Sequence, residues 1–122
     1  MEITFSKQER RVTVTIMQVA GKVDSSNYQD FTKSAIDAVA RDAHYLLIDL
    51  SACEYMSSAG IRSLNEIYIF FKKSFPHDEV GQRAHRMKLL GPTEKLMNVF
   101  SISGVDAFFE IYGDLETAVA SF

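Results

Sequence analysis

The sequence predicts an α/β fold built on a mostly parallel central sheet, and two observations support this. Segments with the two-residue alternation of strands take turns with segments whose apolar residues recur every three or four positions, as in helices. One apolar run, 45–50, is broken only by Asp49, which is typical of a strand covered on both faces. Alternating strands and helices favour parallel pairing, and we expect the first strand to lie antiparallel at an edge.

The first half of the chain predicts two strands, a helix and a third strand. Residues 3–7 and 11–19 are the two strands, and in the second Val12, Val14 and Ile16 alternate with the residues between them. We expect Gly21 to end this strand. Asp24 is then a suitable N-cap for a helix that fades near 41–42, before the apolar run.

The second half predicts three helices and two strands. A helix opened by Ser57 carries apolar residues on one face and stops before Pro76. A strand at 87–90 leads to a helix in which Pro92 suits the first position and which Gly104 ends. Residues 108–112 form the last strand, and Asp114 caps the last helix. The predicted order is β-β-α-β-α-β-α-β-α, a mixed sheet of four to five strands with about four helices.

Composition narrows the class of protein. With 122 residues the chain fits one domain, 1–122, and a net charge of −3 indicates no direct binding of nucleic acid. Cys53 is the single cysteine, which excludes an internal disulfide and suits the cytoplasm. The N-terminus lacks the pattern of a signal peptide, and no stretch approaches the ~20 apolar residues needed for membrane insertion. We therefore expect a cytoplasmic protein.

Metal and cofactor sites are not expected. The three histidines, His44, His77 and His85, lack the spacing of a metal site, and no cysteine pair supports one. The sequence has no G-x-S-x-G element, no Walker-type phosphate loop and no G-x-G-x-x-G loop. These absences favour a binding module over an enzyme.

The segment 47–64 is the most informative part of the chain. An apolar strand runs into a short polar loop, and Ser57 and Ser58 then open a helix. Free backbone N–H groups and the positive end of the dipole favour an anion at a helix N-terminus. A serine placed there can accept a phosphate and act as a switch. The simpler interpretation of Ser57 is a structural N-cap, because serine is common at that position.

Three segments together resemble one protein family. The run Asp49-Leu50-Ser51 followed by Tyr55-Met56-Ser57-Ser58-Ala59-Gly60-Ile61-Arg62 resembles the signature of STAS domains of the anti-sigma-factor antagonist type. Residues 21–24 resemble the strand-to-helix turn of the family, and residues 89–92 through 103–105 resemble its C-terminal third. The resemblance spans nearly the whole chain and implies a STAS-like fold.

The resemblance also implies a mechanism. Family members bind an anti-sigma factor that is also a serine kinase of the histidine-kinase-like ATPase type, and so release a sigma factor. The kinase then phosphorylates a serine at the start of the second helix, which breaks the complex. A PP2C-type phosphatase removes the phosphate and so resets the system. Ser58 matches this serine, and Ser57 is the weaker candidate. Ser57 stands where well-known members often have aspartate, and Ala59 where some have a second serine. Isolated members are often monomers or weak homodimers.

Nine residues are implied as partner contacts: Asp24, Ser25, Ser26, Asp49, Ser57, Ser58, Ala59, Gly60 and Arg62. Two of these have simpler interpretations. Asp24 is also a candidate N-cap, and Asp49 also suits a bond to the backbone of the following loop. The alternative function is a constitutive STAS scaffold or adaptor subunit in a signalling or transporter complex.

Phe70 stands apart from the apolar stripe of its helix. It fits either an exposed docking patch or a site covered by the connection 72–86, which brings Phe75 and Val80. The length of that connection favours the cover.

Overall fold

A computed structural model describes residues 1–78 and 84–122, which form six strands and five helices. In chain order these are β1 (Glu2–Glu9), β2 (Thr13–Val23), α1 (Tyr28–Arg41), β3 (Leu46–Asp49), β4 (Cys53–Met56), α2 (Ser58–Ser74), β5 (Ala84–Leu90), α3 (Glu94–Ser103), α4 (Val105–Phe108), β6 (Phe109–Tyr112) and α5 (Leu115–Ala120). Val80, expected to help cover Phe70, lies outside the described residues. No helix in the described ranges is long and apolar enough to cross a membrane.

The strands form one mixed sheet in the order β1-β2-β3-β5-β6, with β4 added beside the end of β2. The predicted antiparallel edge is confirmed, since β1 pairs with β2 antiparallel from Glu2 opposite Ala20 to Glu9 opposite Thr13. The pairs β2–β3, β2–β4, β3–β5 and β5–β6 are all parallel. Parallel pairing brings the carboxyl ends of these strands to one edge of the sheet.

Helices cover both faces of the sheet. The main core lies under α1 to α4 and contains Phe31, Ala35, Leu64, Ile67, Phe71 and Phe100. The opposite face is covered by α5, through Ala118 and Val119. On β3, Leu46 and Ile48 face the main core while Leu47 faces α5, so the prediction of a strand covered on both faces is confirmed.

A buried lysine fastens α5 to its face of the sheet. Lys88 on β5 has a side chain only 5% exposed. Its Nζ donates hydrogen bonds to the carbonyl oxygen of Ser121 at 3.0 Å and to Ser121 Oγ at 3.1 Å. The same ammonium group lies 3.3 Å from Glu110 Oε2. Buried charges need partners of this kind, so Lys88 links the sheet to the last helix.

The structure adds two short elements to the predicted order. Residues 53–56, expected within a polar loop, form β4, which needs the distant residues 21–23 as its partner. The helix α4 continues directly from Gly104. The prediction that Gly21 ends β2 is wrong. Gly21 has a φ of +94° at a register shift in the pairing with β4, and the strand continues to Val23.

The predicted helix ends agree with the structure in most places. The helix α2 ends at Ser74, before Pro76, and α3 ends at Ser103 with Gly104 as its C-cap. Asp114 caps α5, as predicted, by accepting a hydrogen bond from the Thr117 N–H. Pro92 is not the first residue of α3. Thr93 is the N-cap and accepts from the Leu96 N–H, because its hydroxyl supplies the acceptor that proline lacks.

Candidate functional site

The start of α2 is fastened to the end of β2. Val23 pairs with Met56, the last residue of β4. The next N–H along the chain, that of Ser57, donates a 2.8 Å hydrogen bond to the Val23 carbonyl oxygen. The strand ladder therefore continues to the residue that caps the helix, and the position of Ser58 is fixed by the sheet.

Gly60 lets the first turn of α2 approach the sheet closely. A Cβ atom at this position would lie 2.6 Å from Met56 Cγ and 3.0 Å from Val23 Cγ1. Real Cβ atoms essentially never come closer than 3.0 Å to another heavy atom, so a side chain here would force Met56, Val23 or the helix itself to shift. Ala59 is buried as well. These two small residues set the height of the helix above the strands.

Ser57 is the N-cap of α2 by position but not by side-chain bonding. Its backbone is extended, with φ −76° and ψ 176°, and its side chain makes no capping hydrogen bond. Its Oγ is buried and has no hydrogen-bond partner among the described residues. Ser57 therefore holds the predicted N-cap position, but its side chain supplies no hydrogen bond to the first-turn N–H groups. Those N–H groups receive no partner from the cap.

Ser58 is the first helical residue and is exposed. The first turn of α2 contains no acidic residue. Arg62, four residues on and also exposed, follows Ser58 along the same side of the helix. The helix dipole and this guanidinium group both favour a negative charge at position 58.

The turn after β2 borders the start of α2. The sequence predicts Asp24 as the N-cap of α1, but Asn27 occupies that position. The Asp24 carboxylate instead accepts from Ser26, at 2.9 Å from the backbone N–H and 2.5 Å from the hydroxyl. These bonds from Ser26 lower the pKa of Asp24, so the carboxylate is charged at neutral pH.

Asn27 closes the same turn from the other side. Its Oδ1 accepts from the Asp24 N–H at 2.9 Å, and its Nδ2 donates to the Lys22 carbonyl oxygen at 2.8 Å. Ser25 and Ser26 remain exposed at the tip of the turn. The structure thus brings Ser25 and Ser26 to the same edge as Ser57 and Ser58.

Asp49 lies away from this pair of segments. In the sheet it is opposite Gln18, which lies well before the end of β2. Its carboxylate accepts from the Ser51 backbone N–H at 3.0 Å and from the Ser51 hydroxyl at 2.7 Å. Of the two interpretations of Asp49, the bond to the following loop is the one that the structure contains.

Tyr55 is a candidate surface residue that the sequence analysis missed. It lies on β4 opposite Lys22 and is 44% exposed, two residues before the N-cap of α2. An aromatic residue close to the two serines was the available signal, and exposed aromatic side chains are frequent anchors in protein interfaces. Phe70, by contrast, is half-buried and packs against the main core, so it forms no exposed docking patch.

The chemistry available in the described ranges is limited. No group of three or more histidine, cysteine, aspartate or glutamate side chains lies in an arrangement that fits a metal ion there. Burial raises the pKa of the Cys53 thiol, which disfavours the nucleophilic thiolate. What the edge offers is a hydroxyl group, a charged carboxylate and a guanidinium group on an ordered surface.

Solved structures share this architecture. A candidate anti-sigma factor antagonist from Thermotoga maritima matches 95% of the chain and 92% of its own, with a TM-score of 0.75 and 20% identity. The Bacillus cell fate determinant SpoIIAA in its phosphorylated form matches 96% of the chain and 97% of its own, with a TM-score of 0.62 and 16% identity. The murine Solute Carrier 26 family member A9 anion transporter matches 88% of the chain over 17% of its own length, with a TM-score of 0.70 and 18% identity.

Comparison of the sequence with models of protein families identifies the family of this chain. The sequence model of the STAS domain matches residues 6–118. No curated protein matches the chain. Taken with the sheet order and the placement of α2, the match over these residues shows that the chain belongs to the STAS domain family.

Proposed function

We propose that this protein is an anti-sigma-factor antagonist controlled by reversible phosphorylation of Ser58. It binds an anti-sigma factor that is also a serine kinase of the histidine-kinase-like ATPase type, and so releases a sigma factor. A PP2C-type phosphatase removes the phosphate. The observation that carries the proposal is the exposed Ser58 at the N-terminus of α2, which the sheet holds beside the turn that contains Ser25 and Ser26. Structural similarity to SpoIIAA, solved in a phosphorylated form, supports it.

The partner surface consists of accessible residues from the two adjoining segments, and all of them are exposed except Asp24, which is half-buried. Asp24, Ser25 and Ser26 form one side, and Ser58 and Arg62 form the other. Ala59 and Gly60 are buried beneath them, so their role in binding is to hold α2 at the right height. Asp49 and Ser57 act in the same indirect way, through the loop after β3 and through the bond to Val23.

Phosphate on Ser58 changes the surface far more than the fold. It adds about −1.5 to −2 charges at pH 7. The dipole of α2 and the guanidinium group of Arg62 both interact favourably with negative charge at this position. In a complex the same charge must be desolvated next to the charged Asp24 carboxylate. Like charges brought together in an interface weaken binding, and a cost of about 2 kcal/mol corresponds to a loss of affinity of roughly thirtyfold.

Incubation with ATP and candidate kinases from the same genome tests the proposal. We expect a single phosphate on Ser58, located by mass spectrometry of peptides. Ser58→Ala should bind the kinase like the parent, and Ser58→Asp should lose binding by roughly thirtyfold or more in calorimetry. Ser74→Asp is the matched control, since it adds the same charge to an exposed position at the far end of α2.

The alternative of a constitutive scaffold predicts a different result. If Ser58→Asp binds every partner as tightly as the parent, phosphorylation is not the control and the protein acts as an adaptor. Phosphate found on Ser57 instead of Ser58 would also contradict the proposal, because the Ser57 hydroxyl is buried.

A further inference from the structure

The outer edge of β1 is long and regular. Within the described ranges β1 pairs with β2 alone, and all eight of its residues take part without a register shift. The strand contains no proline. An edge of this kind presents unpaired N–H and C=O groups to any other strand. Proteins blunt such edges with bulges, prolines or charged side chains, and β1 has only the charged side chains, Glu2, Lys7 and Glu9.

Phe5 lies in the middle of this edge and is 47% exposed. It shares a face of β1 with Ile3, which packs against the main core, and with Lys7. Phe5 and Lys7 line a groove of about 440 Å³ together with Asp37 and Arg41 of α1. An exposed phenylalanine beside an open groove on an edge strand is an apolar surface without a cover in the described structure.

We propose that β1 pairs antiparallel with β1 of a second copy of this chain, about a two-fold axis at Phe5. Such an axis runs perpendicular to the sheet and places residues from the same face opposite each other. Phe5 then lies opposite Phe5 of the second copy, and both side chains lie on the face that carries the groove. The sheet continues across the two copies.

The charges on β1 are compatible with this register, as they are with an axis at Thr4 or Ser6, and the exposed Phe5 is what selects it. With the axis at Phe5, the remaining pairs are Glu2 with Gln8, Ile3 with Lys7, and Thr4 with Ser6, so no like charges lie opposite each other. Moving the axis to Lys7 or Glu9 would place two lysines or two glutamates opposite each other.

The groove is also self-complementary in charge. Its lining includes Lys7 and Arg41, which are basic, and Asp37 and Asp42, which are acidic. A surface that carries both signs can meet a rotated copy of itself without net repulsion. The pairing of one eight-residue edge buries little area, so we expect a weak dimer that depends on protein concentration. This inference is independent of the proposed function, because β1 carries none of the residues assigned to the Ser58 surface.

Sedimentation velocity on the full chain over a range of concentrations tests the proposal. The parent protein should show a monomer–dimer equilibrium. Phe5→Glu should weaken the dimer at least tenfold, because it removes the aromatic pair and places two carboxylates opposite each other. Thr4→Glu is the matched control, since it adds the same charge on the other face of β1, opposite Ser6. Circular dichroism melting confirms that each variant is folded.

Mixing two variants identifies the register. Phe5→Glu and Phe5→Lys should each be monomeric alone and should form a heterodimer when mixed, because the opposite charges then face each other. A parent protein that stays monomeric at millimolar concentration would overturn the proposal. So would a dimer unaffected by Phe5→Glu, or a mixture of the two variants that stays monomeric.

Discussion

The backbone N–H of Ser57 donates a 2.8 Å hydrogen bond to the carbonyl oxygen of Val23, and this bond joins two segments that are 34 residues apart in the sequence. Among the described elements, β2 is the longest strand and ends at Val23, and α2 is the longest helix and has Ser57 as its N-cap. The turn after β2 and the start of α2 are therefore held side by side by the sheet.

Gly60→Ala should destabilise the protein by about 1–3 kcal/mol. The added Cβ would meet Met56 Cγ and Val23 Cγ1, and overpacking at a buried contact costs an amount of this order. Urea denaturation measures the change in the free energy of unfolding. Gly113→Ala is the control, because a Cβ there meets nothing within 4 Å. Equal stability of the Gly60→Ala variant and the parent would show that the close approach of α2 does not matter for folding.

Ser58→Asp should leave the stability unchanged or raise it by a few tenths of a kcal/mol. A negative charge in the first turn of α2 interacts favourably with the helix dipole, and Arg62 is one turn away. The same substitution at Ser74, in the last turn of α2, should lower the stability by about 0.5–1 kcal/mol for the opposite reason. Thermal melts of both variants at low salt measure the difference. A large loss of stability for Ser58→Asp would contradict the exposed position of Ser58.

Asp78→Asn should lower the stability at neutral pH by about 1 kcal/mol and should have no effect in strong acid. Arg86 donates to Asp78 through Nη2 at 3.0 Å and lowers the pKa of this carboxyl group below its ordinary value of 3.8. A lowered folded-state pKa means that the stabilisation is complete above the ordinary value. It is lost as the pH falls through the lowered pKa.

Urea denaturation of the parent and of Asp78→Asn between pH 2 and pH 7 measures this effect. The guanidinium group of Arg86 also packs on the ring of Phe75, with 3.8 Å between Cζ and the ring centroid. In an Arg86→Met background the Asp78→Asn substitution should lose most of its pH dependence, because His85, 3.4 Å from Asp78 Oδ2, is then the charge partner that remains. An undiminished pH dependence in that background would show that Arg86 does not cause the lowered pKa.

Lys88→Ala should destabilise the protein by about 2 kcal/mol and should loosen α5 in particular. The substitution removes both hydrogen bonds to Ser121 and the contact with Glu110, and it leaves space beneath the helix. Hydrogen exchange of the α5 amide groups measures the local effect. Lys72→Ala, at an exposed position, is the control. Unchanged protection of α5 would show that apolar packing alone holds this helix.

The fold class could be predicted because the strands and helices that define it have local patterns of apolar residues in the sequence. The apolar run at 45–50 gave β3 its correct place, because a strand covered on both faces needs apolar residues at every position. The strand β4 was not predictable in this way. It is four residues long, and it exists because residues 21–23 lie beside it, which is a contact between distant parts of the chain.

The cap positions show a second limit. The run Asp24-Ser25-Ser26-Asn27 contains four residues that can each cap a helix, so sequence alone does not identify the cap. Asn27 takes that position because its side chain bridges the Asp24 N–H and the Lys22 carbonyl oxygen across the turn. The sequence predicts Ser58 at the start of a helix, and the structure has it there as the exposed first residue of α2. The burial of the neighbouring Ser57 hydroxyl depends on tertiary packing and was not foreseen.

The hydrogen bond between Ser57 and Val23 has a consequence for the thermodynamics of docking. A protein that touches both the turn at 24–26 and the first turn of α2 meets two segments whose relative position is already set before contact. Little backbone entropy is then lost on association, and more of the interaction free energy remains for affinity. A modification at this surface would consequently act through its charge and volume, with no need for the chain to rearrange.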